Sequence, residues 1–544
     1  MLIIKHFKPS SLKRRMAYDY QLNIKSLLDS AVSRNPNTEV VYKDERYTLS
    51  QFRERVARLA QGLHDVGVRQ GDVVAVIDWD TMRYMELYFA VPMMGATLHT
   101  VNVRYPPEVV LYTMKHADDS YVIVRDEFLP LIEKFKDAFS FVKGWIVYSD
   151  DGKARTSLEA HQYSDLLSGP KYDFPELPEE TRATMFYTSG TTGMPKGVWF
   201  THRQLVLHAQ SVALAGRSDP LALTQRDVYM ILVPMFHVHA WGMPYVAVTV
   251  GSKYVLPGKY EVPRILELIK REGVTYSAMV PTILYMILNH PGVKEYAQYL
   301  KGMRITIGGM ALPRGLAAKA KEMGITTVGG YGLSETCPVL TIGVYNAELK
   351  DADEETKFRC SISAGTPVPL VELRVVDENM NDVPHDGKTV GEVVVRAPWL
   401  TKEYYKDPER TERLWRGGWL HTGDLATMDQ YGYVTIVDRE SDSIKSGGEF
   451  IPTLLLESAI SECPGVGEVA VVGVPDQKWG QRPVAFVVKS GEVNERVIRD
   501  HLARLVEQGR IQKWWMPDRF VFVDSMPKTS THKVDKKELR KMIQ

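Results

Sequence analysis

The strongest constraint on this chain is the eleven-residue stretch 187–197, Tyr-Thr-Ser-Gly-Thr-Thr-Gly-Met-Pro-Lys-Gly, which follows a strand-like run at 183–187. Gly190, Gly193 and Gly197 permit positive φ and close backbone approach, so successive N–H groups can point at one anion. Thr188, Ser189, Thr191 and Thr192 add hydroxyl donors, and Lys196 adds charge. Such a loop suits a polyphosphate. An ordinary Gly/Thr turn is the bland alternative, and the fixed order of eleven residues argues against it. A P-loop is excluded, because that motif needs Gly-Lys-Ser/Thr opening a helix, whereas here Pro195 precedes Lys196 and Gly197 follows it.

The chain around this loop reads as an α/β fold. Runs at 73–77 and 121–124 read as buried strands and alternate with helical stretches, the pattern of α/β subdomains built on largely parallel sheets. Thr48 and Gln51 fit a capping box, with Phe52, Val56, Leu59, Ala60 and Leu63 recurring at helical spacing behind it. From Ala470 onward, VAVVGV, VAFVV, a helix beginning near Val493 and RFVFV predict a small α+β C-terminal domain. The expected division is an N-terminal domain over 1–438, a boundary segment over 439–448 and the small C-terminal unit over 449–544.

Lys+Arg and Asp+Glu both total 67, so no global field favours nucleic acid, and small-molecule partners are expected. Cys337, Cys360 and Cys463 form neither a disulfide framework nor a metal site, which fits a reducing cytoplasm. The most apolar stretch, 85–101, is broken by Pro92, Gly95 and His99, so no transmembrane segment is expected. Lys5, Lys8, Lys13, Arg14 and Arg15 read as a basic arm rather than a targeting segment, and Met16 is an alternative start.

Five further segments follow in order: Phe236-His-Val-His-Ala-Trp241, Gly330-Tyr-Gly-Leu-Ser-Glu-Thr336, Thr422-Gly-Asp424, Asp438-Arg439 through Ile444-Lys-Ser-Gly-Gly448, and Pro527-Lys-Thr-Ser-Thr-His-Lys533. With the loop, they make the chain resemble the adenylate-forming superfamily of acyl-CoA synthetases, luciferases and peptide-synthetase adenylation domains. Among these it is most similar to medium- and long-chain fatty-acyl-CoA synthetases.

That resemblance implies a ligase that uses ATP to turn a carboxylic acid into an acyl-adenylate and then an acyl-CoA, releasing pyrophosphate and AMP. Mg²⁺ would be held by Glu335 and Thr188, since a carboxylate beside a triphosphate repels it unless a cation intervenes. The loop residues 188–193 and Lys196 would take the phosphates, with Thr336 on the α-phosphate. Adenine would lie on Tyr331 between Gly330 and Gly332, near Gly309 and Met310; Asp424 and Arg439 would take the ribose, and Lys445 a phosphate. Lys533 would be the catalytic lysine that bridges the substrate carboxylate and the α-phosphate.

For the acyl group, similarity to fatty-acyl members gives His237 a lining role and Trp241 that of a gate, with Val280, Gly308, Gly309 and Gly332 near the reacting carboxylate. His237 and His239 could instead face one side of a strand and bind metal, but no third N/S ligand of suitable spacing accompanies them. Ser441 would be the hinge pivot, with Gly447 and Gly448 along the coenzyme A path. The chain departs from the family at Ser441, where Asp or Lys is usual, and at His532, where glycine is usual. A short-chain, thioether-substituted or aryl acid is the alternative substrate, and an inactive nucleotide-binding regulator the alternative of another class. Fatty-acyl members also suggest a homodimer.

Overall fold

The computed structural model describes residues 18–188, 194–440, 442–447, 449–530 and 532–543. The basic arm, the loop residues Ser189, Gly190, Thr191, Thr192 and Gly193, and Ser441 and Gly448 lie outside the described residues.

Two large sheets dominate. In the first, strands Ala160–Gln162, Gly144–Tyr148, Asp119–Arg125, Val73–Ile77, Thr97–Thr100 and Arg182–Thr188 run parallel in that spatial order, and Lys196–Thr201 closes the edge antiparallel. Every residue of Val73–Ile77 is buried, which is why this strand reads as an unbroken apolar run. The second sheet has nine strands, with Thr326–Gly332, Arg304–Ile307, Tyr276–Met279, Val228–Leu232, Lys253–Leu256 and Glu39–Tyr42 parallel at its centre. The helix Leu49–Asp65 carries the expected capping box, and its apolar stripe is buried in the core shared by the sheets.

An antiparallel five-stranded sheet follows, in which Trp419–Met428 pairs with both Gly391–Arg396 and Val434–Arg439. The last sheet is separate. Val466–Asp476, Gly480–Lys489, Ile444–Ser446 and Glu449–Ile451 lie in sequence across it, with Arg519–Phe522 parallel to Gly480–Lys489. It has a core on each face: Leu456, Ile460, Ile498 and Leu502 on one, Val472, Phe486, Met526 and Leu539 on the other. Strands and helix expected beyond Ala470 are all present, as Val466–Asp476, Gly480–Lys489, Glu495–Glu507 and Arg519–Phe522. The three cysteines are buried and unpaired. Among the described residues no helix is long and apolar enough to cross a membrane.

Candidate active site

The carboxyl ends of the parallel strands in both large sheets open onto one cavity of about 1540 Å³, the usual place for a ligand in open α/β sheets. Thr188 ends its strand there, Gly308 follows Arg304–Ile307, Val280 follows Tyr276–Met279, and Gly332 ends Thr326–Gly332. The C-terminal domain closes the cavity with Lys528, Ser530 and Lys533.

One wall is polar and already wired together. Lys196, opposite Thr188 in its hairpin, donates to the Tyr404 hydroxyl at 3.1 Å, and that hydroxyl donates to Glu335 Oε1 at 2.6 Å. Burial pulls the Lys196 ammonium below its ordinary pKa, opposed by the charge of Glu335. Glu335 is 9% exposed, and Tyr404 is the only hydrogen-bond donor to its carboxylate among the described residues. Acceptor capacity therefore remains toward the cavity.

A second cluster sits beside it. Asp424 and Arg439 are cross-strand neighbours, joined by an Nε–Oδ1 contact of 2.9 Å, while the Tyr331 hydroxyl donates to Asp424 Oδ2 at 2.8 Å. Each carboxylate oxygen keeps a further lone pair for a ligand hydroxyl. The same contact fixes the phenol ring, giving a flat face that does not swing. Asp424 holds the Arg439 guanidinium more firmly charged, and burial pushes the Tyr331 phenol well above its usual range.

The opposite wall is apolar, formed by Val212, Val238, Trp241, Met243, Ala278 and Ile342 among others. Its central segment has an unexpected conformation. Val238, His239, Ala240 and Trp241 all have positive φ, at 49°, 56°, 49° and 57°, and Gly242 continues at 73°. This left-handed turn costs on the order of 1–2 kcal/mol for each non-glycine residue. Contacts just before it hold it in place: Met235 N donates to Asp80 at 2.8 Å, the Tyr88 hydroxyl donates to the Met235 carbonyl, and Thr100 donates to the Phe236 carbonyl at 3.1 Å. At its end a Cβ on Gly242 would come within 2.7 Å of the His208 ring. The strand considered for His237 and His239 is thus replaced by a turn that separates them. His237 lines the cavity, while His239 is fully buried against Phe186 and Phe200. Burial lowers both imidazoles to about 3, with Lys533 adding to the effect at His237, so both rings are neutral.

The two walls meet at Gly309, whose φ is 74°. A Cβ there would fall 3.1 Å from Lys533 Cε, 3.3 Å from Val280 Cγ1 and 3.4 Å from Trp241 Cζ2. Three of the expected site residues therefore converge on one glycine. Burial draws Lys533 down to about 8, helped by Arg439 and opposed by Asp424 and Glu335.

Thr188, Lys196, His237, Trp241, Gly308, Gly309, Met310, Gly330, Tyr331, Gly332, Glu335, Asp424, Arg439 and Lys533 all line the cavity. Val280 reaches it at Gly309. Thr336 does not line it: its side chain is fully buried, accepting from Leu333 N at 2.9 Å and donating to the Pro338 carbonyl. Lys445 lies over the Phe450 ring and Gly447 packs beside Trp479, both outside the cavity. Tyr404, Asn102 and Arg104 line it without having been expected. Tyr404 reaches Glu335 through a sequence separation of 69 residues, and no local pattern signals that contact.

The sequence model of the AMP-binding enzyme family matches residues 28–405, and that of the AMP-binding enzyme C-terminal domain matches 455–533. A long-chain-fatty-acid–CoA ligase of Thermus thermophilus is 40% identical, over 96% of this chain and 96% of its own. A 3-methylmercaptopropionyl-CoA ligase of Ruegeria lacuscaerulensis is 35% identical, over 95% and 97%. The crystal structure of an anthranilate CoA ligase in complex with anthranoyl-AMP superposes with a TM-score of 0.84, at 25% identity, over 96% of this chain and 98% of that one.

Proposed function

The chain belongs to the family of AMP-binding enzymes, and from that premise we propose that this acid–CoA ligase takes a fatty acid and activates it where the two cavity walls meet. The observation that carries this reading is the convergence of Lys533, Val280 and Trp241 on Gly309, between a polar wall fit for a nucleotide and an apolar wall fit for a hydrocarbon. Each methylene buried on the apolar wall contributes about 0.8 kcal/mol, so a chain of several would dominate affinity.

In the first step a carboxylate oxygen attacks the α-phosphorus of ATP, and pyrophosphate leaves. The Lys533 ammonium lies between the two mutually repelling anions, and its buried setting strengthens that attraction. Lys196 holds the departing phosphates, Tyr331 gives adenine a fixed platform, and Asp424 accepts from the ribose hydroxyls. Glu335 and Thr188 fit a magnesium ion, because such an ion takes one or two carboxylates and completes its shell with phosphate oxygens and water. When bound it would offset phosphate charge. Neutral His237 lines the acyl site without adding a second cation beside the carboxylate.

In the second step the coenzyme A thiol attacks the acyl carbon and AMP leaves. Lys533 occupies the reacting point, so the thiol needs the C-terminal domain to move. Residues 439–448 are the hinge in this proposal, Ser441 the pivot, and Gly447 and Gly448 the path for the thiol arm.

Incubating the purified protein with ATP, Mg²⁺, coenzyme A and a graded series of acids tests the proposal. Straight-chain fatty acids should give acyl-CoA and AMP with the highest kcat/KM. Higher values for thioether or aryl acids would overturn the substrate assignment, and silence with every acid would favour a nucleotide-binding regulator.

A further inference from the structure

Between the strand Thr97–Thr100 and the helix Pro107–His116 the chain carries two polar residues that line the cavity, Asn102 and Arg104. Asn102 is 7% exposed and accepts from Arg104 N at 3.0 Å through Oδ1. Its amide NH₂ is thereby turned toward the C-terminal domain, where it donates to Ser530 Oγ at 3.0 Å. Arg104 Nη1 donates to the Ser530 carbonyl at 2.9 Å. Among the described residues the Arg104 guanidinium has no carboxylate partner. It rests instead against the rings of Phe236, at 5.6 Å, and Trp79, at 5.9 Å.

Ser530 lies inside a short closed turn. Thr529 N donates to the Lys533 carbonyl at 2.7 Å, and Lys533 N donates to Thr529 Oγ1 at 3.2 Å. Fixing Ser530 therefore fixes Lys533. On the other flank Lys528 reaches Thr282 Oγ1 at 3.3 Å. These contacts across the domain boundary are polar, so each group can exchange its partner for water when the boundary opens, at modest net cost.

We propose that Asn102 and Arg104 are positioning residues that seat the Lys533 turn for the adenylation step alone, acting through Ser530. The inference rests on the assignment of Lys533 to that step. Arg104 also packs on Phe236, the neighbour of His237, so the same guanidinium aligns the lysine turn with the acyl wall.

The two half-reactions separate the possibilities. For Arg104→Ala, acid-dependent ATP–pyrophosphate exchange should fall about ten- to a hundredfold. Conversion of supplied acyl-adenylate to acyl-CoA should stay within about twofold. Arg104→Lys should recover part of the exchange. Ser530→Ala, which removes the Asn102 contact from the other side and leaves the N-terminal core untouched, should lower exchange by about threefold. Equal losses in both half-reactions would reduce the pair to a structural role. No loss in either variant, while Lys533→Ala lowers exchange at least about a hundredfold, would overturn the proposal and leave the lysine assignment standing. Full exchange in Lys533→Ala would remove both.

Discussion

The two ends of the cavity are built on different principles. At the nucleotide end, Lys196, Tyr404 and Glu335 form one hydrogen-bonded chain and Tyr331, Asp424 and Arg439 another, so each side chain is fixed by a polar partner. At the acyl end, Val212, Met243, Trp241 and Ile342 offer no directional contacts, and shape comes from a left-handed turn imposed by its surroundings. The first arrangement recognises fixed groups in every catalytic cycle. The second sets a volume, which a change of side chain can alter without disturbing the chemistry. Effects at the nucleotide end should therefore fall on every acid alike, and effects at the acyl end should differ from acid to acid.

The largest effect should come from Lys533, where the two ends touch. Lys533→Ala should lower ATP–pyrophosphate exchange by about a hundred- to a thousandfold for all acids, with conversion of supplied acyl-adenylate retained. Equal loss of both steps would show that the residue is not confined to adenylation. Glu335→Gln should cost about a hundredfold in adenylation, read as kcat/KM across a chain-length series. An acid-dependent loss would blur the division between the ends.

A smaller, continuous effect should follow pH. Burial lowers the Lys533 pKa to about 8, and the charged form is the active one, so kcat/KM for adenylation should be level below that value and decline as pH rises through it. Lys533→Arg, whose guanidinium stays protonated, should lose that decline whatever activity it retains. A flat profile for the unsubstituted enzyme through pH 9 would contradict the role of the ammonium. The smallest effect should be that of Trp241→Ala: the preferred chain length should shift, with about fourfold per added methylene, while KM for ATP changes by less than about twofold. An unchanged profile would remove the gate.

The same division explains what the sequence could reveal. Tyr331 and Asp424 sit in short motifs whose residue types already suggest their chemistry, whereas Arg439 and Lys533, the latter in a lysine-rich tail that reads as a solvated face, were legible only through the family resemblance; all four line the cavity. The apolar strands and the capped helix Leu49–Asp65 were equally readable, because nearest-neighbour spacing encodes them. Tyr404 was not, since it reaches Glu335 only through the fold. Nor was the turn at 238–242, where Val, His, Ala and Trp have no preference for positive φ and contacts from Asp80, Tyr88 and Thr100 hold the segment leading into it. Thr336 has a motif position but spends its hydroxyl on its own turn, and Lys445 and Gly447 lie away from the cavity with the Lys533 turn in place. Motifs identify chemical types; which of them face one another at a given moment depends on the domain arrangement.

The central claim is that a carboxylate oxygen displaces pyrophosphate at the α-phosphorus within this cavity. Supplying a fatty acid labelled with ¹⁸O in its carboxylate, together with ATP, Mg²⁺ and coenzyme A, and analysing the products by mass spectrometry tests it directly. The account predicts one ¹⁸O atom in AMP and none in pyrophosphate; label in pyrophosphate or inorganic phosphate, or release of ADP in place of AMP, would contradict it.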